Sequence, residues 1–465
     1  MKDMTMKKLN LNVLDYGAIA DGITLNTKAV QAAIDACASM GGGKVIFTKG
    51  DYVLSTVFLK SNVDIVVEKD ARILGSLNFY DYAPQEKLDY PLYQDASHSY
   101  FDCSMFVGRE CENISIYGEG VIDMRSVWDE DNVRDMVHRG AKCIALKECS
   151  NIDIHGLSIY NVTDLAIYFA GCDNVEIYHL KMRVYIDGIS PDNSSNVRIY
   201  DCDIETGDDG IVFKSSYTLN RLGICENIDV KNCKIKSRCS AVKFGTETNG
   251  GFKNIHIENI DIYETRITGI AIESVDGAII DGITIKNVTM RNVGAPIFIH
   301  LGNRMRGPKG IEVGRIQNVL LENIYAEGPY EPYECIEWRY TSFVQKDTLQ
   351  YPWQMEVNKH KAGEPFTCNV CGLRENPLKN IRFKNVKLIT QGGVTEYEPT
   401  VSEHAGGYPE VFVYGHTLPA SGIYFRYVDG LTLENVELHT YLPDRRNTLV
   451  FDYVTNFMSD TKKVI

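Results

Sequence analysis

The chain has 465 residues, 44% of them hydrophobic, enough for a large core. Its formal net charge is -14, from 62 acidic against 48 basic residues, which argues against nucleic acid or an anionic membrane as partner. No apolar run approaches the length of a membrane span, and the Lys-bearing N-terminal stretch has no apolar h-region, so no signal peptide is expected.

The 13 cysteines are odd in number and cannot all pair within the chain. Most lie in apolar, strand-like runs (Cys143, Cys172, Cys202, Cys233), where a thiol acts as a small hydrophobe. Reduced thiols without a leader point to the cytoplasm. Cys368 and Cys371 make a single CxxC. Zinc usually needs a second such pair, so the motif reads as a plain loop, and no metal or other cofactor is expected.

In chain order, the first element is a helix over Asn26 to Ser39. Val30, Ala33, Ile34 and Cys37 fall at helical spacing, and Gly41, Gly42 and Gly43 end the run. This helix reads as a cap over the start of the fold, within about residues 1–50, that blocks edge-to-edge association.

A repeat follows. Short alternating strands begin again and again at Asn or Gly: Asn113, Asn151, Asn174, Asn196, Asn227, Asn254, Gly282, Asn318, Asn380 and Gly430. From Asn151 to Gly282 the starts are 23, 22, 31, 27 and 28 residues apart. A period in the twenties with several short strands per repeat is the mark of a solenoid. The Leu pattern of leucine-rich repeats is missing, and one coil cannot bury its own apolar face, so coils must stack as a parallel β-helix. Asn suits the repeated corner, because it tolerates the left-handed bend and can pair with the Asn one coil away. The whole chain, 1–465, reads as one such domain. The repeat is interrupted at about 327–378 and 391–421, insertions expected beside a binding cleft. Tyr333, Trp338, Tyr340 and Trp353 in the first insertion are candidates for stacking on sugars, although insertion core is the plainer reading.

Two acidic segments stand out, Tyr185 to Asp192 (YIDGISPD) and Thr206 to Ser215 (TGDDGIVFKS). Asp187 and Asp209 are 22 residues apart, one coil, and each precedes Gly-Ile. They are therefore expected at matching places on neighbouring coils, with Asp208 beside them. Solvated turns or a Ca²⁺ site would also use Asp, but three carboxylates in register point to catalysis. Crowded like charges raise one pKa, which leaves one protonated acid beside ionised carboxylates, the pair that glycoside hydrolysis needs.

At these residues the chain resembles glycoside hydrolase family 28, the polygalacturonase family. VLDYGAIADGITLNTKAVQAAIDAC is similar to the family's N-terminal cap, and Tyr117 to Asp123 with Trp128 to its first-coil motif. IDGISPD and GDDGIVFKS resemble its two acidic motifs, and Phe244-Gly245-Thr246-Glu247 its glycine-serine-glutamate segment. The likeness runs over about residues 11–300 and returns near 423–438.

The resemblance implies a right-handed parallel β-helix and an inverting hydrolase. Asp208 would be the general acid, and Asp187 and Asp209 would hold and activate water. The chain also departs from the family. Tyr185-Ile186 replaces Asn-Thr, Ser240 stands near the family's His, and Ala271-Ile272-Glu273 replaces the Arg-Ile-Lys that grips a galacturonate carboxylate. This argues against homogalacturonan. Candidate substrate contacts are Lys214, Lys243, Glu247, Glu273, His300 and Arg304.

The expected partner is an oligosaccharide of pectin type, taken from its end one sugar at a time; a homo-oligomer stays open. Three other readings remain, one of them a family relative that has lost its activity with the missing His and Arg-Ile-Lys. A lyase or epimerase on the same fold would abstract a proton α to a uronate, usually with Ca²⁺. A non-catalytic carbohydrate-binding solenoid would need no acid cluster.

Overall fold

The computed structural model of the protein describes residues 9–127, 140–330, 366–397, 400–403, 407–415 and 417–460. Trp128, Tyr333, Trp338, Tyr340 and Trp353 lie outside them.

Every described strand joins one parallel ladder system, a right-handed β-helix. The register is regular. Ile114, Ile152, Val175, Val197, Ile228, Ile255, Ile283, Val319, Ile381 and Leu431 follow one another across successive coils. All ten are buried, because the residue just after each corner points inward, and alternation then sends every second residue of the strand to the core. Parallel pairing then aligns like with like, and the core becomes columns of Ile and Val.

The corners carry ladders of Asn side chains. Asn151 donates to Asn113 at 3.0 Å, Asn174 to Asn151 at 2.7 Å, and Asn254 to Asn227 at 2.8 Å. All of these residues have φ between 53° and 56°. Gly282 (φ 75°) and Gly430 (φ 83°) replace Asn at the same corner, since Gly takes this conformation at no steric cost. A second ladder, unmarked in the sequence reading, runs Asn232, Asn259, Asn287, Asn323, Asn385 and Asn435.

We expect Asn259→Ala to lose about 2 kcal/mol, combining left-handed strain with two lost side-chain bonds, and Asn259→Gly about half of that. Urea unfolding midpoints measure both. A Gly variant weaker than Ala would remove the conformational part of this account.

The helix forms over Thr27–Ser39 and buries Val30, Ala33, Ile34 and Cys37 against the first coil. Asn26 precedes it and ties the incoming loop, accepting from the Ile19 N–H and donating to the carbonyls of Ile19 and Thr24.

The first insertion is shorter than expected. Cys368–Cys371 is a strand, in register with Phe298–His300 on one side and Ile423–Arg426 on the other. Both cysteines are wholly buried and point to opposite faces, so the CxxC is sheet and not a loop. Every cysteine among the described residues is buried. No helix among them is long and apolar enough to cross a membrane.

An insertion missing from the sequence reading lies between Gly75 and Ser104. Phe101 and Leu219 pack with Ala145, Leu165, Tyr168, Tyr185 and Ile186 as a small core on the outer face of the sheet. The signal was present. Asn62-Val63-Asp64-Ile65 has the corner pattern, and Asn62 accepts from Asn113 at 2.8 Å. The 51 residues between those two Asn exceed one coil by more than twenty.

Candidate active site

The sheet face outside Ile189, Ile211 and Val242 carries the site. Alternation sends Val212 and Lys243 outward at one level, and Asp192 and Lys214 at the next. The Asp187 and Asp209 turns enter this face on adjacent coils, tied by the Gly188 N–H donating to the Asp209 carbonyl at 3.0 Å. One oxygen each from Asp187, Asp208 and Asp209 lies within 4.8 Å of the others. The one-coil spacing thus brings the three carboxylates together.

Their surroundings differ. Asp187 and Asp209 are each 4% exposed. Asp187 accepts the Asp209 N–H at 3.2 Å and faces Lys214 Nζ at 3.6 Å. Asp209 accepts the Ser240 N–H at 3.0 Å and faces Lys243 Nζ at 3.5 Å. Asp208 is half-buried, and among the described residues its carboxylate meets no donor; its backbone carbonyl accepts from Thr206 and Ser237.

Burial pushes the Asp209 carboxyl well above the carboxylate range. Lys243 opposes that, and the charges of Asp208, Asp187 and Glu410 add to it. The surroundings of Asp209 thus favour its protonated form.

Two lysines support the cluster. Lys214 lies 3.3 Å from Glu247, and His98 Nδ1 lies 3.8 Å from the same carboxylate. Burial alone would raise Glu247, but Lys214, His98, Arg304 and Arg306 overcome it and hold the group well below its ordinary value. Lys243 reaches Glu410 at 2.9 Å and Glu273 at 3.9 Å.

The three aspartates, Lys214, Lys243, Glu247, His98 and Glu410 line a cavity of about 280 Å³ together with Asp95, Cys239, Thr246, Ile267, Tyr408 and Phe412. It has two walls. One is the 76–103 segment, which brings Asp95 and His98; the His98 carbonyl accepts from Tyr168 at 2.7 Å and from Thr218. The other is the described part of the second insertion, which brings Tyr408, Glu410 and Phe412.

Of the six expected substrate contacts, Lys214, Lys243 and Glu247 line the cavity. Glu273 and His300 are wholly buried behind it. Glu273 sits against Lys243, while His300 stacks on Phe298 and meets the Tyr414 hydroxyl at 3.2 Å. Neither is part of the cavity lining. Arg304 is held by Asp276 and the Thr246 carbonyl, with its guanidinium over the Tyr408 ring. His98, Tyr408 and Glu410 escaped the sequence reading: Glu410 lies 167 residues from the lysine it meets, and no local pattern joins them.

The profile of the family described as "Glycosyl hydrolases family 28" matches residues 37–329, more than half of the chain. The chain belongs to glycosyl hydrolases family 28. A probable polygalacturonase of Vitis vinifera is 27% identical over 267 residues, covering 54% of each chain. The exo-poly-alpha-D-galacturonosidase of Dickeya chrysanthemi is 25% identical over 300 residues, 54% of this chain and 49% of that one. The chain thus spans about half the length of the curated relatives it matches. The fold is that of the family 28 exopolygalacturonase of Yersinia enterocolitica, with a TM-score of 0.69 at 20% identity over 97% of this chain and 78% of that one.

Proposed function

We propose that this family 28 chain is an inverting glycoside hydrolase that removes sugar units from the ends of pectin-type or related oligosaccharides. The observation that carries the reading is the cluster of Asp187, Asp208 and Asp209 at the floor of a cavity closed on both sides. Asp208, turned to the cavity and unheld, hands a proton to the leaving oxygen. Asp187 and Asp209, each fixed by a backbone N–H and a lysine, hold and activate the attacking water. A cavity of about 280 Å³, just below the usual ligand range of about 300–1,000 Å³, suits a chain end better than a polymer running through.

The test is reducing-sugar release from galacturonan, rhamnogalacturonan and neutral oligosaccharides. One short product from the earliest times is expected, whereas a ladder of intermediates would count against end-wise action. Product without ultraviolet absorbance separates hydrolysis from elimination. Lys214 and Lys243 already supply the positive charge that a dication would bring to the aspartates. Chelator is therefore expected to leave the rate unchanged, and loss of activity restored by Ca²⁺ would favour a lyase.

The closest carboxylate oxygens are nearer than the roughly 6.5–9.5 Å usual between inverting carboxyl groups. The anomer first seen by NMR is therefore the direct check: the opposite anomer to the substrate supports the assignment, and the same anomer makes one aspartate a nucleophile.

A further inference from the structure

We infer that the sugar unit bound in this cavity carries no carboxylate, because Glu410 occupies Lys243 where a uronate would have to pair; this rests on the glycosidase reading and narrows its substrate.

Each cation at the described cavity wall is already matched by a carboxylate of the chain. Lys243 has Glu410 at 2.9 Å and Asp209 at 3.5 Å. Lys214 has Glu247 at 3.3 Å and Asp187 at 3.6 Å. Just behind, Arg304 is held by Asp276, and Arg306 pairs with Asp95 at 3.1 Å. The lining itself has six carboxylates (Asp95, Asp187, Asp208, Asp209, Glu247, Glu410) against two lysines and His98, whose Nδ1 lies 3.8 Å from Glu247. Even with a proton on Asp209 the cavity is negative. A uronate would bring one more negative charge into a partly dry site and find no unpaired cation among the described residues, and like charges at that range repel strongly.

A sugar bearing only hydroxyls meets the opposite situation. Glu410 is 7% exposed, and its Oε2 is a buried acceptor without a hydrogen-bond partner among the described residues. A hydroxyl donor satisfies that atom, and a carboxylate cannot. Cys239, Ile267 and Phe412 offer an apolar patch for a sugar's C–H face.

The experiment measures galacturonate and galactose binding to the full chain by calorimetry, for the native protein and Glu410→Gln. The variant frees Lys243 and removes one like charge. Galacturonate affinity is expected to rise on the order of tenfold or more, while galactose affinity stays level or falls. Melting curves check that the variant folds, and Glu410→Ser, which clears the same lysine, serves if it does not. Unchanged or weaker galacturonate binding overturns the inference.

A turnover comparison separates it from the parent reading. Oligogalacturonides cleaved at least as fast as the same oligomers with carboxyls reduced to alcohols sink the inference and leave hydrolysis standing. A gain of galacturonate affinity in a protein that cleaves nothing leaves the inference standing and sinks hydrolysis.

Discussion

Asp208→Asn is expected to cut kcat by roughly 10²–10⁴ on natural oligosaccharides, the usual contribution of a general acid. The amide keeps the shape of the side chain but has no proton to give. The diagnostic result is rescue by the leaving group. An aryl glycoside with a good leaving group needs little protonation, so Asp208→Asn should cost far less on such a substrate. Asp187→Asn and Asp209→Asn, placed at the water, should stay impaired on both.

This comparison matters because two observations pull apart. Asp208 is the more exposed and unheld carboxylate, suited to follow a departing oxygen. Asp209 is the one whose burial favours the proton. Rescue of Asp209→Asn instead of Asp208→Asn would reverse the assignment and make Asp209 the acid.

The repeated corner made the fold legible in the sequence. Asn-apolar-x-apolar is a local pattern, and parallel stacking turns local identity into spatial adjacency, so Ile152 or Asn174 announces its neighbours. The aspartate cluster was legible for the same reason, since a 22-residue step on a solenoid is a contact. What stayed hidden lies outside the repeat. Glu410 and His98 reach the site on connections that no period governs, and their contacts to Lys243 and Glu247 are purely tertiary. Glu273 and His300 show the converse. Their strand positions were readable, but which coils the walls would cover was not, and both are sealed behind the second wall.

The replacement of Arg-Ile-Lys by Ala271-Ile272-Glu273 also gains a physical account. Lys243 lies directly across from Ala271 on the preceding coil, and Glu273 turns toward it. The positive charge beside Glu273 comes from the neighbouring coil, and the chain supplies its counter-charge.

Lys243→Met is expected to lose about 3–5 kcal/mol at pH 7, the cost of breaking a buried ion pair by removing one partner. Among the described residues Lys243 is the cation that Asp209, Glu273 and Glu410 share, at 3.5, 3.9 and 2.9 Å. In the native protein burial already pushes Asp209 and Glu273 well above the carboxylate range, with Lys243 as the main opposing influence. Removing it raises them further.

The direction with pH follows. Carboxyls whose folded pKa exceeds the unfolded value of about 4 contribute their full stability below that value, as neutral acids, and lose it as pH rises through the folded pKa. The variant should therefore nearly match the native protein near pH 4 and fall progressively behind it toward pH 8. Thermal melts across that range measure the gap. A deficit constant with pH would assign the lysine's role to the packing of its aliphatic stem. Adding Glu273→Gln to the variant separates the two further. Removing both partners of a buried pair costs much less than removing one, so the double variant should recover part of the loss at pH 7 and little at pH 4.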